Sequence, residues 1–215
     1  MSRFFYAIAL GLAAGCAQAN AKQPAAWPLE QSLTRRAIKD APLIQFAQAA
    51  GPSTARSNLA KLVVTIVPNA SVAIGAKVGF EVTSASRGYV LLVDIDPTGR
   101  MTQIFPNPEL LERLGKGDIN LIQQNGKLTI PSVEIRARGF DFLVGEPTGS
   151  ATIVAILSRK KVQLVDLPDN AESDTAAASV DRLSKWIYEL KVADPDSGKL
   201  LTNEWSYTFK NYEIR

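Results

Sequence analysis

Residues 88–107 read GYVLLVDIDPTGRMTQIFPN. Two hydrophobic runs, RGYVLLVDID and RMTQIF, flank a short acidic turn, and the second run ends at Pro106. Both runs are aromatic- and β-branched-rich and too short for stable helices, so they predict paired strands. The turn carries D-x-D-x-T-G from Asp94 to Gly99, the first half of an EF-hand calcium loop. An EF-hand needs a bidentate Glu at its twelfth position and helices on both sides. Here that position is Phe105 and both flanks read as strands. Pro97-Thr98-Gly99 is turn chemistry by itself. Asp94 and Asp96 share a strand face about 7 Å apart, so a weak cation site or an acid/base pair stays open beside the hairpin reading. A carboxylate enzyme would need a further acid across a cleft, such as Glu134 or Asp141.

The same strand signals recur outward from this hairpin. LAKLVVTIVP and KVGFEVTS precede it; KLTIP, GFDFLV and SATIVAILSRK follow, separated by Gly, Pro, Asn and Ser. PELLERL at 108–114 predicts a short helix, with Pro at its start and Gly115 after its end. Residues 166–184 are polar and Ala-rich, suiting a loop and a short helix. In the C-terminal stretch, Trp186, Tyr188, Leu190 and Val192 alternate on one strand. Trp205, Tyr207 and Phe209 alternate on a second, with Asp194–Gly198 as the turn. The expectation is an all-β, Ig-like sandwich of antiparallel sheets over 59–215, with one or two short helices and a C-terminal aromatic hairpin at 185–214.

Composition narrows the function. The 215 residues are 46% hydrophobic and 21% charged, and the net charge is only +3, with basic residues dispersed among acids. That is no nucleic-acid footprint. The absence of histidine removes Ser-His-Asp and Cys-His catalysis and His-ligated zinc. Ser158-x-x-Lys161 ends a β-branched run and lacks a following Lys-Thr-Gly, and Gly-x-Gly at 115–117 lacks a phosphate-loop continuation. No motif calls for a cofactor.

The N-terminus carries Arg3, then an apolar stretch from Phe4 to about Gly15, then small residues, the pattern of a secretory signal. Ala19-Asn20-Ala21 fits cleavage after residue 21. Leu12-Ala13-Ala14-Gly15-Cys16 competes as a lipobox, cut after residue 15 with lipidation of Cys16. Either route predicts an exported protein, periplasmic or lipid-anchored at the bacterial envelope. Cys16 is the one cysteine, so no internal disulfide can staple the fold. Residues 22–58, rich in Ala, Gln and Pro, read as a linker.

The middle of the chain, about 62–162, resembles the bacterial domain-of-unknown-function family DUF 4384. The resemblance rests on Gly88-Tyr89-Val90-Leu91-Leu92, the Asp96-Pro97-Thr98-Gly99 turn, the Ile104-Phe105-Pro106-Asn107 stop, and GFDFLVGEPTG followed by SATIVAILS. It implies a compact, mainly β accessory domain, found alone after a signal peptide or attached to caspase-like peptidase or kinase domains. The family supplies no catalytic residues to carry over. The expected function is a non-enzymatic envelope module binding a protein partner, through strand edges or the aromatic set Trp186, Tyr188, Trp205 and Tyr207. A glycan- or peptidoglycan-binding platform of Trp186, Trp205 and Tyr207 is the first alternative, and a carboxylate hydrolase the second.

Overall fold

The computed structural model describes residues 58–115, 117–169, 175–194 and 196–215. The expected signal segment, Cys16 and nearly all of the linker lie outside them. Two strands organise the rest. β4 (Gly88–Ile95) is buried at every position, and β9 (Gly149–Ser158) is buried from Ala151 onward. Continuous apolar runs of this kind belong to strands covered on both faces. They pair antiparallel, Tyr89 opposite Ser158 through Ile95 opposite Thr152.

A mixed sheet grows around this pair in the order β2 (Ser71–Val72), β12 (Trp205–Ile214), β9, β4, β5 (Met101–Phe105), with β6 (Leu121–Ile122) also on β4. A second sheet holds β1 (Val63–Val67), β3 (Lys77–Ser84), β7 (Gly126–Ile130) and β8 (Phe142–Leu143). One face of β4 and β9 sends Val90, Leu92, Ile153, Ala155 and Leu157 against Val64, Ile66, Phe80 and Val82 of that second sheet. This is the sandwich that the alternation predicts. One pair departs from the antiparallel expectation: β2 runs parallel to β12, Ser71 beside Glu213 and Val72 beside Ile214.

The other face of the mixed sheet is covered by a helix. α1 (Pro108–Leu114) and α2 (Val133–Ala137) are short, capped by the Asn107 and Ser132 side chains. α3 (Ala176–Glu189) has 14 residues, starts at the Thr175 cap, and buries Ser179, Leu183 and Ile187. Those three positions repeat at the helical spacing of four. Leu183 and Ile187 pack on Leu91, Val93, Val154 and Ile156. The described residues thus hold three helices rather than one or two short ones.

The expected aromatic hairpin at 185–214 is corrected here. Trp186 and Tyr188 lie on α3, not on a strand. Their alternation is incidental, because the apolar face of β4 and β9 needs a cover and the helical stripe Ser179-Leu183-Ile187 supplies it. The turn at 194–198 exists, but it joins the two-residue strands β10 (Val192–Ala193) and β11 (Leu200–Leu201). Asp194 accepts from the amides of Ser197 and Asp196 there, and Gly198 takes φ +67°.

β12 pairs with β9 along its whole length, Trp205 opposite Ser158 through Ile214 opposite Gly149. Tyr212 and Ile214 enter the inter-sheet core, and Trp205 enters the core under α3. A chain ending after residue 203 uncovers β9 on one edge and opens both cores. It is expected to lose cooperative thermal unfolding in circular dichroism; a sharp transition in the truncated chain contradicts this packing.

Candidate functional site

The acidic turn resolves into a hairpin. Asp96 Oδ1 accepts from the Thr98 amide at 2.8 Å, the Thr98 hydroxyl at 2.6 Å and the Arg100 amide at 3.1 Å. The Gly99 amide donates to the Asp96 carbonyl, and Gly99 sits at φ +84°, where a side chain is disfavoured. Ser179 of α3 donates its hydroxyl to the Gly99 carbonyl at 2.6 Å, tying the hairpin to the covering helix. The carboxylate is consumed in closing the turn, as an Asx residue commonly is.

Asp94 lies on the same face but in a different setting. It is 3% exposed and accepts a hydrogen bond from Tyr212 Oη at 2.9 Å. Tyr212 stands opposite Ala151 on β9, whose small side chain lets the ring reach over to β4. Among the described residues no group of three or more His, Cys, Asp or Glu side chains could hold a metal. Glu134 bonds with the Ser132 hydroxyl at the start of α2, and that bond holds its pKa below the usual carboxylate value. Asp141 pairs with Lys77 at 2.5 Å. Each acid raised by the sequence is therefore engaged with a local structural partner.

The remaining motifs disperse likewise. Ser158 is fully buried, donates to the Lys160 carbonyl and accepts from Asn203 Nδ2 at 2.8 Å, while Lys161 pairs with Asp118 at 2.7 Å. Gly115 closes α1 at φ +76°.

The aromatic set divides. Trp205 is 6% exposed, and its indole N–H donates to the Leu190 carbonyl at 3.2 Å. It is core, which removes it from any stacking platform and corrects its place among the expected ligand-binding residues. Trp186 is half-buried against the same core. Tyr188 of α3 and Tyr207 of β12 meet edge to face, ring centroids 5.8 Å apart. Burial, helped by the Tyr207 hydroxyl and its charge, pushes the Tyr188 phenol up to about 12. Phe209, on the same strand face as Tyr207, is 54% exposed. The structure thus packs Tyr188 of α3 against Tyr207, with Phe209 next along the same face of β12, a ledge running from the helix along that strand. The sequence offers Phe209 as one of the alternating aromatics, but its exposure depends on where α3 stops covering the sheet.

Residues 71–161 match the model of the family described as Domain of unknown function (DUF4384). The resemblance carried by the strand and turn motifs is thereby supported. The matched segment starts at β2 and ends just past β9, leaving out β1, α3 and β12. No curated protein and no solved structure matches the chain.

Two outcomes are expected from these contacts. Tyr212→Phe removes a hydrogen bond to a buried carboxylate and should cost about 1.5–3 kcal/mol in urea unfolding; an unchanged midpoint would show that the bond contributes nothing. The raised Tyr188 phenol gives a pH effect of definite sign. The unfolded chain ionises this tyrosine from about pH 10, the folded chain only near 12, so its contribution is intact below about 10 and is lost as pH rises through about 12. Tyr188→Phe should flatten that alkaline decline when urea midpoints at about pH 9 and about pH 11 are compared.

Proposed function

We propose that this chain is an exported, non-enzymatic accessory module of the bacterial envelope that binds a protein partner. One observation carries the reading: Phe209 exposes 54% of its surface on the face of β12 that it shares with Tyr207, which meets Tyr188 of α3 edge to face. Aromatic residues held rigidly at a partly desolvated surface are the usual anchors of protein interfaces. The carboxylates that an enzyme reading needs are committed to the Asp96 turn, the Tyr212–Asp94 bond and the Lys77–Asp141 pair. Export is supported by the N-terminal sequence: Arg3, the apolar stretch, and small residues around Cys16 and Ala21.

The test is in-cell crosslinking of the tagged chain in envelope fractions, with wild type beside Phe209→Ser. Phe209 is exposed, so the substitution should leave the melting temperature unchanged. If Phe209 is an anchor, recovery of one reproducible partner should fall by about tenfold or more. Equal recovery from both proteins, or no reproducible partner from wild type, contradicts the proposal.

A further inference from the structure

The ledge ends at a sheet edge with its main chain open. The Glu213 amide donates to the Ala70 carbonyl and the Arg215 amide to Val72, so the odd-numbered residues of β12 point their backbone groups away from β9. The Arg159 amide bonds to the Glu204 carbonyl, placing the even-numbered residues toward β9. Among the described residues, β12 has a ladder partner on its outer side only at Glu213 and Ile214. The N–H and C=O groups of Tyr207, Phe209 and Asn211 therefore face a lane about 17 Å long that has no ladder partner among the described residues. The exposure agrees: residues 209, 210 and 211 are consecutively exposed, so both faces of the strand end uncovered here.

The two faces of this lane differ chemically. Tyr207 and Phe209 share a face with Ile156 and Val154, the α3 side. Lys210 stands opposite Ile153 on the sandwich side and is exposed. It is the one charged residue in the 206–212 stretch SYTFKNY, on a chain of net charge +3. The lane is closed at one end by β2, which occupies the position beside Glu213. A second copy's β12, paired about Phe209, would put its own Trp205 in the place of Ser71. A short single strand meets no such obstacle.

Resting on the partner-binding reading above, we infer that the occupant is an extended peptide segment of the partner, added as a strand along residues 207–211. Its side chains alternate, apolar ones lying on Tyr207 and Phe209 and acidic ones beside Lys210. Main-chain hydrogen bonds would give affinity and the alternation would give selectivity. Alternation holds for either strand direction, because both have a period of two.

The experiment is fluorescence anisotropy with the full chain and three labelled heptapeptides. One alternates Val and Glu, one alternates Val and Lys, and one is the Val-Glu peptide N-methylated at alternate residues. Saturable binding of the Val-Glu peptide is expected, weakened about tenfold or more by Lys for Glu and abolished by N-methylation. Lys210→Glu should reverse the charge preference. Phe209→Pro removes an N–H that points away from β9, a position where a strand tolerates proline, and should abolish binding. If that variant fails to fold, the Lys210→Glu reversal decides. No saturable binding up to about 1 mM, a wide margin for a weak site, or binding indifferent to Lys210→Glu, overturns the inference. If crosslinking still yields a partner that depends on Phe209, strand addition fails while the partner reading stands. If the peptides bind as expected and no partner is recovered, the partner reading fails and the lane remains a peptide site.

Discussion

The pairing of β4 with β9 is the constraint on which the rest of the structure depends. Leu91, Leu92, Val93, Ile153, Val154, Ala155 and Ile156 are almost fully buried and point alternately to opposite faces of one sheet. Each face must be removed from water, and burying the leucine, isoleucine and valine side chains among them contributes about 1.5–3 kcal/mol apiece. One cover is the second sheet, through Val64, Phe80 and Val82. The other is α3, through Leu183 and Ile187. β12 completes the arrangement by capping the outer edge of β9. The segment that matches the family model holds the central pair but neither α3 nor β12, so the matched segment is smaller than the packed unit.

Polar groups inside this unit are used to fix register and attachment. Tyr212 reaches across Ala151 to Asp94, linking β12 to β4 over the strand between them. Ser179 holds the Asp96 turn to α3. Asn120 is fully buried, bonds through Nδ2 to the Val90 and Val162 carbonyls, and ties the chain beyond β9 to β4. Its Oδ1 has no partner among the described residues, and a buried unsatisfied amide oxygen carries a cost. Gln103 likewise binds the Pro106 and Gln163 carbonyls and the Val165 amide, closing the edge at β5. The sheet is thus stapled on its β5 side, while the middle of β12 has no outer ladder partner among the described residues.

Much of this fold is legible in the amino-acid sequence, for reasons particular to each element. YVLLV and ATIVAIL are continuous apolar runs, and a run without polar alternation states that both faces are covered. The Asp96–Gly99 turn and α1 carry their own local chemistry in Pro97, Gly99, Asn107 and Pro108. α3 is hidden because Trp186, Tyr188 and Leu190 alternate like a strand, while its true stripe begins at a serine, Ser179, which pattern reading treats as polar. The two-residue strands β2, β10 and β11 are too short to show any period. The exposure of Phe209 and the burial of Trp205, four residues apart on one strand face, differ only because α3 and Leu190 reach one and not the other. No local signal records that.

Native-state hydrogen exchange along β12 tests the central claim, a strand fully paired with β9 on one side and open along residues 207–211 on the other. The amides of Thr208, Lys210 and Tyr212 face β9 and should be strongly protected, whereas those of Tyr207, Phe209 and Asn211 should exchange rapidly. Alternation between neighbours would establish the open lane beside the ledge. Uniform protection through residues 207–212 would show that another strand already fills it and would contradict the account.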